Sequence, residues 1–190
     1  MSANPEVAAP ERARRLSKGE FIALMGTIFA TVAFSIDAML PALPEIAAEL
    51  TPEAVNRAQL ILTSFVLGMG LGTLVVGPIS DALGRRTVIF MGAALYLLGA
   101  ILALVAPSLE LILAARVIQG LGAAGPRVVA LAMVRDLYSG RSMAQIVSYA
   151  MLIFTVFPAV APLIGAAIIA GFGWRGIFGA FVVFSVVSVG

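Results

Sequence analysis

The sequence contains no cysteine and no histidine among its 190 residues. Without cysteine it has no disulfide framework and no thiolate metal ligand, and without histidine it lacks the most frequent metal ligand and the usual general base. Charged residues are also scarce, since they make up 12% of the chain against about 25% in soluble domains. These absences argue against an enzyme, against a bound metal or other cofactor, and against a globule that folds in water.

Hydrophobic residues take up the room that charges leave. They make up 61% of the chain, and the mean hydropathy is +1.08. An α-helix needs about 20 apolar residues to cross a bilayer. The composition therefore predicts an all-α membrane protein with six transmembrane helices in the lipid bilayer. We place the spans at residues 21–40, 58–76, 88–105, 109–134, 146–169 and 177–190.

Two segments differ from this pattern of full-length spans. Residues 1–20 are polar, and we expect them to form a tail ahead of a single six-helix transmembrane bundle over residues 21–190. The sixth span is short and ends without a basic flank on Val187-Ser188-Val189-Gly190. That ending predicts a helix that is cut inside the membrane.

Basic residues divide unequally between the two sides that the spans define. Arg57 and Arg175 lie on one side, where the loop over residues 41–57 also carries three glutamates. Because basic residues are enriched in the cytoplasm, we expect a cytoplasmic N-terminus, a multi-pass protein of the cell (inner) membrane, and no nucleic-acid partner. The basic residues on the cytoplasmic side are Arg12, Arg14, Arg15, Lys18, Arg85, Arg86, Arg135 and Arg141.

Three ionisable residues, Asp37, Arg116 and Arg127, fall inside predicted spans. A charge at the bilayer centre costs about 2.5–3.5 kcal/mol on insertion scales, so such residues face a cavity, a partner or an interface. Asp37 and Arg116 both lie in the outer half of the membrane, and we expect them to share one cavity. There Asp37 could change its protonation when a cationic ligand arrives or leaves. The alternative is an interfacial Asp37 that water reaches from outside.

The fourth predicted span carries a polar stripe made of Arg116, Gln119 and Arg127. Gln119 follows Arg116 by three residues, and Arg127 returns to the same face within about 20°. The stripe predicts a face in the bundle interior, although Arg127 could instead snorkel to the nearer membrane surface. In the fifth span, Pro158 and Pro162 indicate a bend, because each removes a backbone hydrogen bond.

Residues 77–86, between the second and third spans, read Gly-Pro-Ile-Ser-Asp-Ala-Leu-Gly-Arg-Arg. They predict a short charged hairpin in which Gly77 packs the helix closely against a neighbour and Gly84 allows a tight reversal. We expect Asp81 to bond backbone amides at a helix N-terminus or to pair with Arg85. Arg86 adds a second basic charge. Elsewhere, glycines in the second and fourth spans indicate close helix packing.

This hairpin resembles the loop motif between helices 2 and 3 of the major facilitator superfamily. Arg116-Val117-Ile118-Gln119-Gly120 is similar to the helix 4 motif of that superfamily, which is associated with proton coupling. Residues 35–46, 134–138 and 158–165 resemble the bicyclomycin-resistance drug:proton antiporters, with Ala82, Ala161 and Ala166 as departures from the motifs. The resemblance implies one half of a two-half fold, the N-terminal one, built as a 3+3 inverted repeat. The missing C-terminal six-helix half is then an expected partner.

The resemblance also implies an activity, namely proton-coupled efflux of lipophilic or cationic drug-like small molecules by alternating access. It implies that Asp37 and Arg116, with Gln119, couple protons to the substrate. It further implies a gate formed by Asp81, Arg85 and Arg86 with the bend in the fifth span. Two alternatives remain open. One is a same-fold carrier for a metabolite or an anion, which would suit the two arginines of the stripe; the other is a truncated half that transports nothing alone.

Overall fold

The computed structural model describes residues 18–189 and the side chains of residues 19–186. Over this range the chain is helical and contains no β-strand, so the predicted all-α fold is confirmed. The basic residues predicted for the tail at positions 12, 14 and 15 lie outside the described residues. The helices are α1 (Lys18–Asp37), α2 (Leu43–Leu50), α3 (Leu60–Leu83), α4 (Arg85–Leu104), α5 (Leu109–Leu137), α6 (Gly140–Phe172) and α7 (Arg175–Val189).

Within residues 18–189, five stretches of helix are long and apolar enough to cross a membrane, and they contain α1, α3, α4, α5 and α6. The sixth predicted span corresponds to α7, a shorter apolar helix of 15 residues. The bounds differ most at α3, which runs on to Leu83 instead of residue 76, and at α6, which begins at Gly140 instead of residue 146. Hydropathy falls at these ends, but the helices continue past the apolar core.

The stretch between α1 and α3 is helical, which the expectation of a loop over residues 41–57 missed. It consists of α2 and two 3-10 turns, Leu40–Ala42 and Val55–Gln59. Ile46 and Ala47 of α2 are buried, so the short helix packs one face on the bundle. Hydropathy windows suited to spans of about 20 residues pass over a helix of this length.

The bundle is organised around α5, which packs along α3 on one side and along α4 on the other. Glycines make both contacts close. A Cβ atom on Gly120 would lie 2.1 Å from the carbonyl oxygen of Phe65, and one on Gly122 would lie 2.3 Å from the amide nitrogen of Tyr96. The packing role predicted for these glycines is therefore confirmed, since any side chain there would push the helices apart.

Two further helix pairs complete the bundle, because α1 packs on α6 and α4 packs on α7. Consecutive long helices run in opposite directions, so the bundle has two ends. The Gly84 end carries the start of α1 and the turns from α3 to α4 and from α5 to α6. The α2 end carries α2 and the starts of α3, α5 and α7. A cluster of buried aromatic and aliphatic side chains fills the interior towards the α2 end.

Candidate functional site

Arg116 is fully buried, about two turns into α5, where α5 meets α1 and α3. Its guanidinium donates hydrogen bonds to the carbonyl oxygen of Ser35, at 2.6 Å, and to Oε1 of Gln119, at 2.7 Å. Its Nε donates a longer bond, of 3.4 Å, to the carbonyl oxygen of Ile61. The predicted contact between Arg116 and Gln119 on one helix face is therefore present, and it is joined by two backbone dipoles.

Two aromatic rings complete the surroundings of Arg116. The guanidinium carbon lies 4.4 Å from the ring centroid of Phe65 on α3 and 5.6 Å from that of Phe181 on α7, distances at which a ring face attracts a cation. Among the described residues, no carboxylate forms an ion pair with Arg116. Oxygen dipoles and ring faces stabilise the Arg116 guanidinium, but no negative charge of the described residues neutralises it.

A pair of buried hydroxyls extends this cluster to α4. The hydroxyl oxygens of Ser35 and Tyr96 lie 2.5 Å apart. The Tyr96 hydroxyl also lies near the side chains of Gln119 and Arg116. The Gln119 amide nitrogen is buried, yet it makes no hydrogen bond with the described residues. The polar cluster, as we name Ser35, Tyr96, Arg116 and Gln119, thus joins α1, α4 and α5. Both N–H donors of the Gln119 amide are unpaired among the described residues.

Asp37 ends α1, two residues beyond the serine that Arg116 binds. It is partly buried, and its side chain makes no hydrogen bond or ion pair in the part of the chain that the structure describes. Asp37 therefore makes no direct contact with Arg116 among the described residues, and the cavity that the two residues are expected to share stays a prediction. The physical reason is that the arginine turns towards the Ser35 carbonyl and Gln119. The described carboxylates are also too dispersed to hold a metal ion.

Arg127 is half-buried on α5, on the face that it shares with Arg116. Its Nη1 lies 3.7 Å from the sulfur of Met69 on α3. That thioether is a weak acceptor and supplies no charge. Within residues 18–189, the structure gives Arg127 no acidic partner. The stripe predicted for this helix therefore contains two cations without counter-charges, one enclosed and one accessible.

The predicted hairpin over residues 77–86 is mostly helix. α3 ends at Leu83 and α4 begins at Arg85, so Gly84 alone reverses the chain, with φ of +86°. The tight reversal at Gly84 is confirmed, because an L side chain rarely adopts that conformation. The close packing predicted at Gly77 is wrong, since a Cβ atom there would meet nothing within 4 Å.

Arg85 forms two ion pairs at the Gly84 end. Its Nη2 lies 3.0 Å from Asp136 of α5 and 3.9 Å from Asp81. The predicted pair between Asp81 and Arg85 is thus the longer of the two, and sequence analysis did not single out Asp136. Arg86 lies over the ring of Phe90 at 5.6 Å. The Asp81 side chain is 76% exposed, so its carboxylate stays accessible at this end.

Pro158 and Pro162 lie within α6, whose helical conformation runs without a break over 33 residues. Each proline removes one backbone hydrogen bond without ending the helix. The bend predicted from them remains a prediction. A different close contact lies three residues beyond Pro162, where a Cβ atom on Gly165 would sit 2.3 Å from the carbonyl oxygen of Ala38. This contact brings α6 against the end of α1 that carries Asp37.

An interaction that sequence analysis missed fastens the α2 end. Glu49 of α2 accepts hydrogen bonds from Nε1 of Trp174, at 2.6 Å, and from Nη1 of Arg175, at 2.8 Å. The Arg175 guanidinium lies 4.1 Å from the centroid of the Trp174 ring. We call these three residues the Glu49 clamp. A second pair, between Arg57 and Glu110 at 3.0 Å, fastens the far side of the same stretch.

Comparison of the sequence with known families gives a match to the Major Facilitator Superfamily over residues 23–190. The chain is 37% identical over 163 residues to a bicyclomycin resistance protein homolog of Haemophilus influenzae, and 34% identical over 166 residues to a chloramphenicol resistance protein of Pseudomonas aeruginosa. These alignments cover 83% and 86% of this chain but 39% of each relative. The chain therefore spans about two fifths of the length of these relatives.

A solved structure gives the same result at the level of the fold. The crystal structure of a D-xylose-proton symporter matches 89% of this chain and 45% of its own, with a TM-score of 0.71 and 15% sequence identity. The described helices thus have the arrangement of one half of such a transporter, in a multi-pass membrane protein. The family match covers most of the sequence and includes both the polar cluster and the Gly84 end. The chain therefore belongs to the Major Facilitator Superfamily.

Proposed function

We propose that this chain is the N-terminal half of an exporter that moves lipophilic or cationic drug-like molecules out of the cell in exchange for protons. The names of two relatives as resistance proteins support efflux of such compounds. Proton coupling is supported by the position of Asp37. Its carboxylate is partly buried and lies two residues after Ser35, whose carbonyl accepts a hydrogen bond from Arg116. Its freedom from any partner in the described chain leaves it able to exchange a proton for a cation.

In this mechanism, Asp37 and Arg116 have different parts. The hydrogen bond from Arg116 to the Ser35 carbonyl fixes the last turn of α1, and so holds Asp37 two residues from a backbone group that binds a buried positive charge. That charge favours the carboxylate form, whereas removal from water favours the neutral acid. A cationic substrate would shift this balance towards the carboxylate and release the proton. When the substrate leaves, Asp37 would take up a proton from the outside.

The proposal includes an orientation in the inner membrane with the Gly84 end in the cytoplasm. Arg85, Arg86, Arg135 and Arg141 belong to the Gly84 end, whereas Arg57 and Arg175 belong to the α2 end. This division follows the enrichment of basic residues in cytoplasmic loops. The exposed Asp81 is then placed to contact a second six-helix half when the cytoplasmic side closes.

A transport assay of Asp37→Asn tests the coupling role. The amide cannot take up a proton, so export driven by a pH gradient should fall to the level of vesicles without transporter. Downhill substrate exchange, which needs no net proton movement, should remain measurable. The assay uses the protein as the cell makes it, reconstituted in vesicles, with uptake followed by substrate fluorescence and by a pH-sensitive dye.

The matched control is Glu53→Gln, which makes the same chemical change at an exposed carboxylate of the α2 end. It should leave both substrate and proton movement at the level of the unmodified protein. Proton-coupled export that survives Asp37→Asn unchanged would remove Asp37 from the mechanism.

One observation favours a second candidate function, that of a carrier for an anion or an acidic metabolite. Arg127 is half-buried, and its described contact is a neutral sulfur atom. A cation in this position would attract the carboxylate or phosphate group of a substrate that binds between the two halves. The two candidates predict opposite responses to removal of the Arg127 charge.

A further inference from the structure

A cavity lies inside the half itself, between α1, α4, α5 and α7. Its volume is about 80 Å³, and Thr31, Tyr96 and Ser185 bring hydroxyl groups to its wall. We propose that this cavity binds water, and that the bound water links the polar cluster with the Gly84 end. The water site is separate from the region around Asp37, which does not line this cavity.

The cavity has room for water and groups that need it. A water molecule occupies about 30 Å³ in the liquid, so about two waters fit. Ser185 is only 6% exposed, and its hydroxyl makes no hydrogen bond to any described residue. An unpaired buried hydroxyl is costly, and a water molecule in the cavity would satisfy it.

A proline in α5 supplies a second polar partner. Pro126 has no amide hydrogen, so the carbonyl of Gly122, four residues earlier, loses the helical donor that this position normally gives. Gly122 and Pro126 both line the cavity. Together with Ser185 and the spare lone pair of the Tyr96 hydroxyl, this carbonyl provides the two to four polar partners that a buried water requires.

The cavity extends along the bundle axis. Its lining on α1 runs from Val32 back to Leu24, which is about 12 Å at the rise of an α-helix. Leu24 lies nearer the Gly84 end, whereas Tyr96 contacts Ser35 of the polar cluster. Most of the wall is apolar, so the water is held at the Tyr96 end, from which it extends the polar cluster towards the Gly84 end.

This placement has a consequence for the buried cluster. Water beside the Tyr96 hydroxyl can exchange hydrogen bonds with the Ser35 hydroxyl and so reach the neighbourhood of Arg116 from within the half. Access would then not depend on the cleft between the two halves being open on that side. The part of this inference that concerns protons rests on the proposed function, whereas the presence of water does not.

Hydroxyl-radical footprinting of the full-length protein tests the water site, because radicals formed from bound water label adjacent side chains. Tyr96 is only 3% exposed, so we expect it to be labelled well above the level of Phe178, which is fully buried in the same core. The variant Ala93→Leu adds a larger side chain to the cavity wall. It should lower Tyr96 labelling several-fold.

The matched control is Ala94→Leu, at the next position of α4, which is exposed and directed away from the cavity. It should leave Tyr96 labelling unchanged. If Ala93→Leu does not fold, Ser185→Ala replaces it, because loss of that hydroxyl should also reduce the labelling. Tyr96 labelling equal to that of Phe178, or labelling that neither variant alters, would show a dry cavity and overturn the proposal.

A proton measurement on the same variants separates this inference from the proposed function. Substrate-induced proton release should slow by at least several-fold in Ala93→Leu and remain unchanged in Ala94→Leu. A labelled Tyr96 without any substrate-induced proton release would retain the water site and contradict the proposed antiport. An unlabelled Tyr96 with normal substrate-induced proton release would overturn the water site and remain consistent with the proposed antiport.

Discussion

At the scale of single residues, Arg116 and Arg127 share one face of α5 but have different surroundings. Arg116 is enclosed by two carbonyl oxygens, an amide oxygen and two rings. Arg127 keeps part of its surface accessible and contacts one sulfur atom. A buried charge with fixed partners holds helices in place, whereas an accessible charge attracts or repels a charged substrate that binds beside it. Substitutions at the two arginines should therefore have different effects.

The substitution Arg127→Gln tests which kind of substrate the protein moves. For a cationic substrate, the KM of export should fall about twofold, because two like charges 10 Å apart in water-like surroundings repel by about 0.4 kcal/mol. The control Arg127→Lys keeps the charge and should leave the KM unchanged. Loss of transport of acidic compounds in Arg127→Gln, with recovery in Arg127→Lys, would instead support the anion carrier.

At the scale of helices, the stretch from α1 to α3 is fastened at both sides. The Glu49 clamp ties α2 to the start of α7, and the pair of Arg57 with Glu110 ties the second 3-10 turn to the start of α5. Because Phe181 lies in α7 and contacts Arg116, the position of α7 also matters for the polar cluster. The α2 end is therefore expected to be the more rigid end of the half.

Removal of the Glu49 charge gives a direct optical test. Trp174 is the single tryptophan of this sequence, so its fluorescence reports on the clamp alone in the purified chain. In Glu49→Gln, the indole loses a charged acceptor, and its emission should shift in wavelength. The melting temperature should fall by about 2–4 °C, as for loss of one modest interaction in a chain of this length.

Glu53→Gln is again the matched control, because Glu53 is exposed and lies on the same stretch between α1 and α3. It should leave both the emission spectrum and the melting temperature unchanged. An emission spectrum that stays constant in Glu49→Gln would mean that the clamp does not form in the membrane.

Sequence patterns predicted the helices and the stripe on α5, but not the contacts between distant segments. Hydropathy reports the length of a span, and a spacing of three residues reports a shared helix face, so Arg116 and Gln119 could be paired in advance. The bond between Ser35 and Tyr96 joins residues 61 positions apart. It depends on how α1 and α4 rotate against α5, which no local pattern records. The same reason hid the Glu49 clamp and the pairing of Arg85 with Asp136.

At the scale of the whole molecule, the chain corresponds to about two fifths of the length of its resistance-protein relatives, at 39% of each. Large apolar side chains such as Leu67, Leu74, Leu152 and Leu163 are exposed along α3 and α6. In a bilayer such surfaces face lipid or other helices. They provide area for contact with a second six-helix half, as the proposed function requires.

Expression of these 190 residues alone tests this requirement. We expect the chain to insert into the membrane but to give no export above background, and co-expression with a C-terminal six-helix half should restore transport. Efflux would be measured as substrate accumulation in intact cells, with membrane insertion checked by fractionation. Export by the 190-residue chain alone, at the rate of the two halves expressed together, would rule out the need for a second half.

The reversal at Gly84 has a mechanical consequence. A single residue joins the end of α3 to the start of α4, so the connection has no slack, and neither helix can slide along the membrane normal without pulling the other. Force applied to Asp81 or Arg86 would therefore reach both helices at once. Through the ion pair from Arg85 to Asp136, the same force would also reach α5. Movement at the Gly84 end is therefore expected to involve α3, α4 and α5 together.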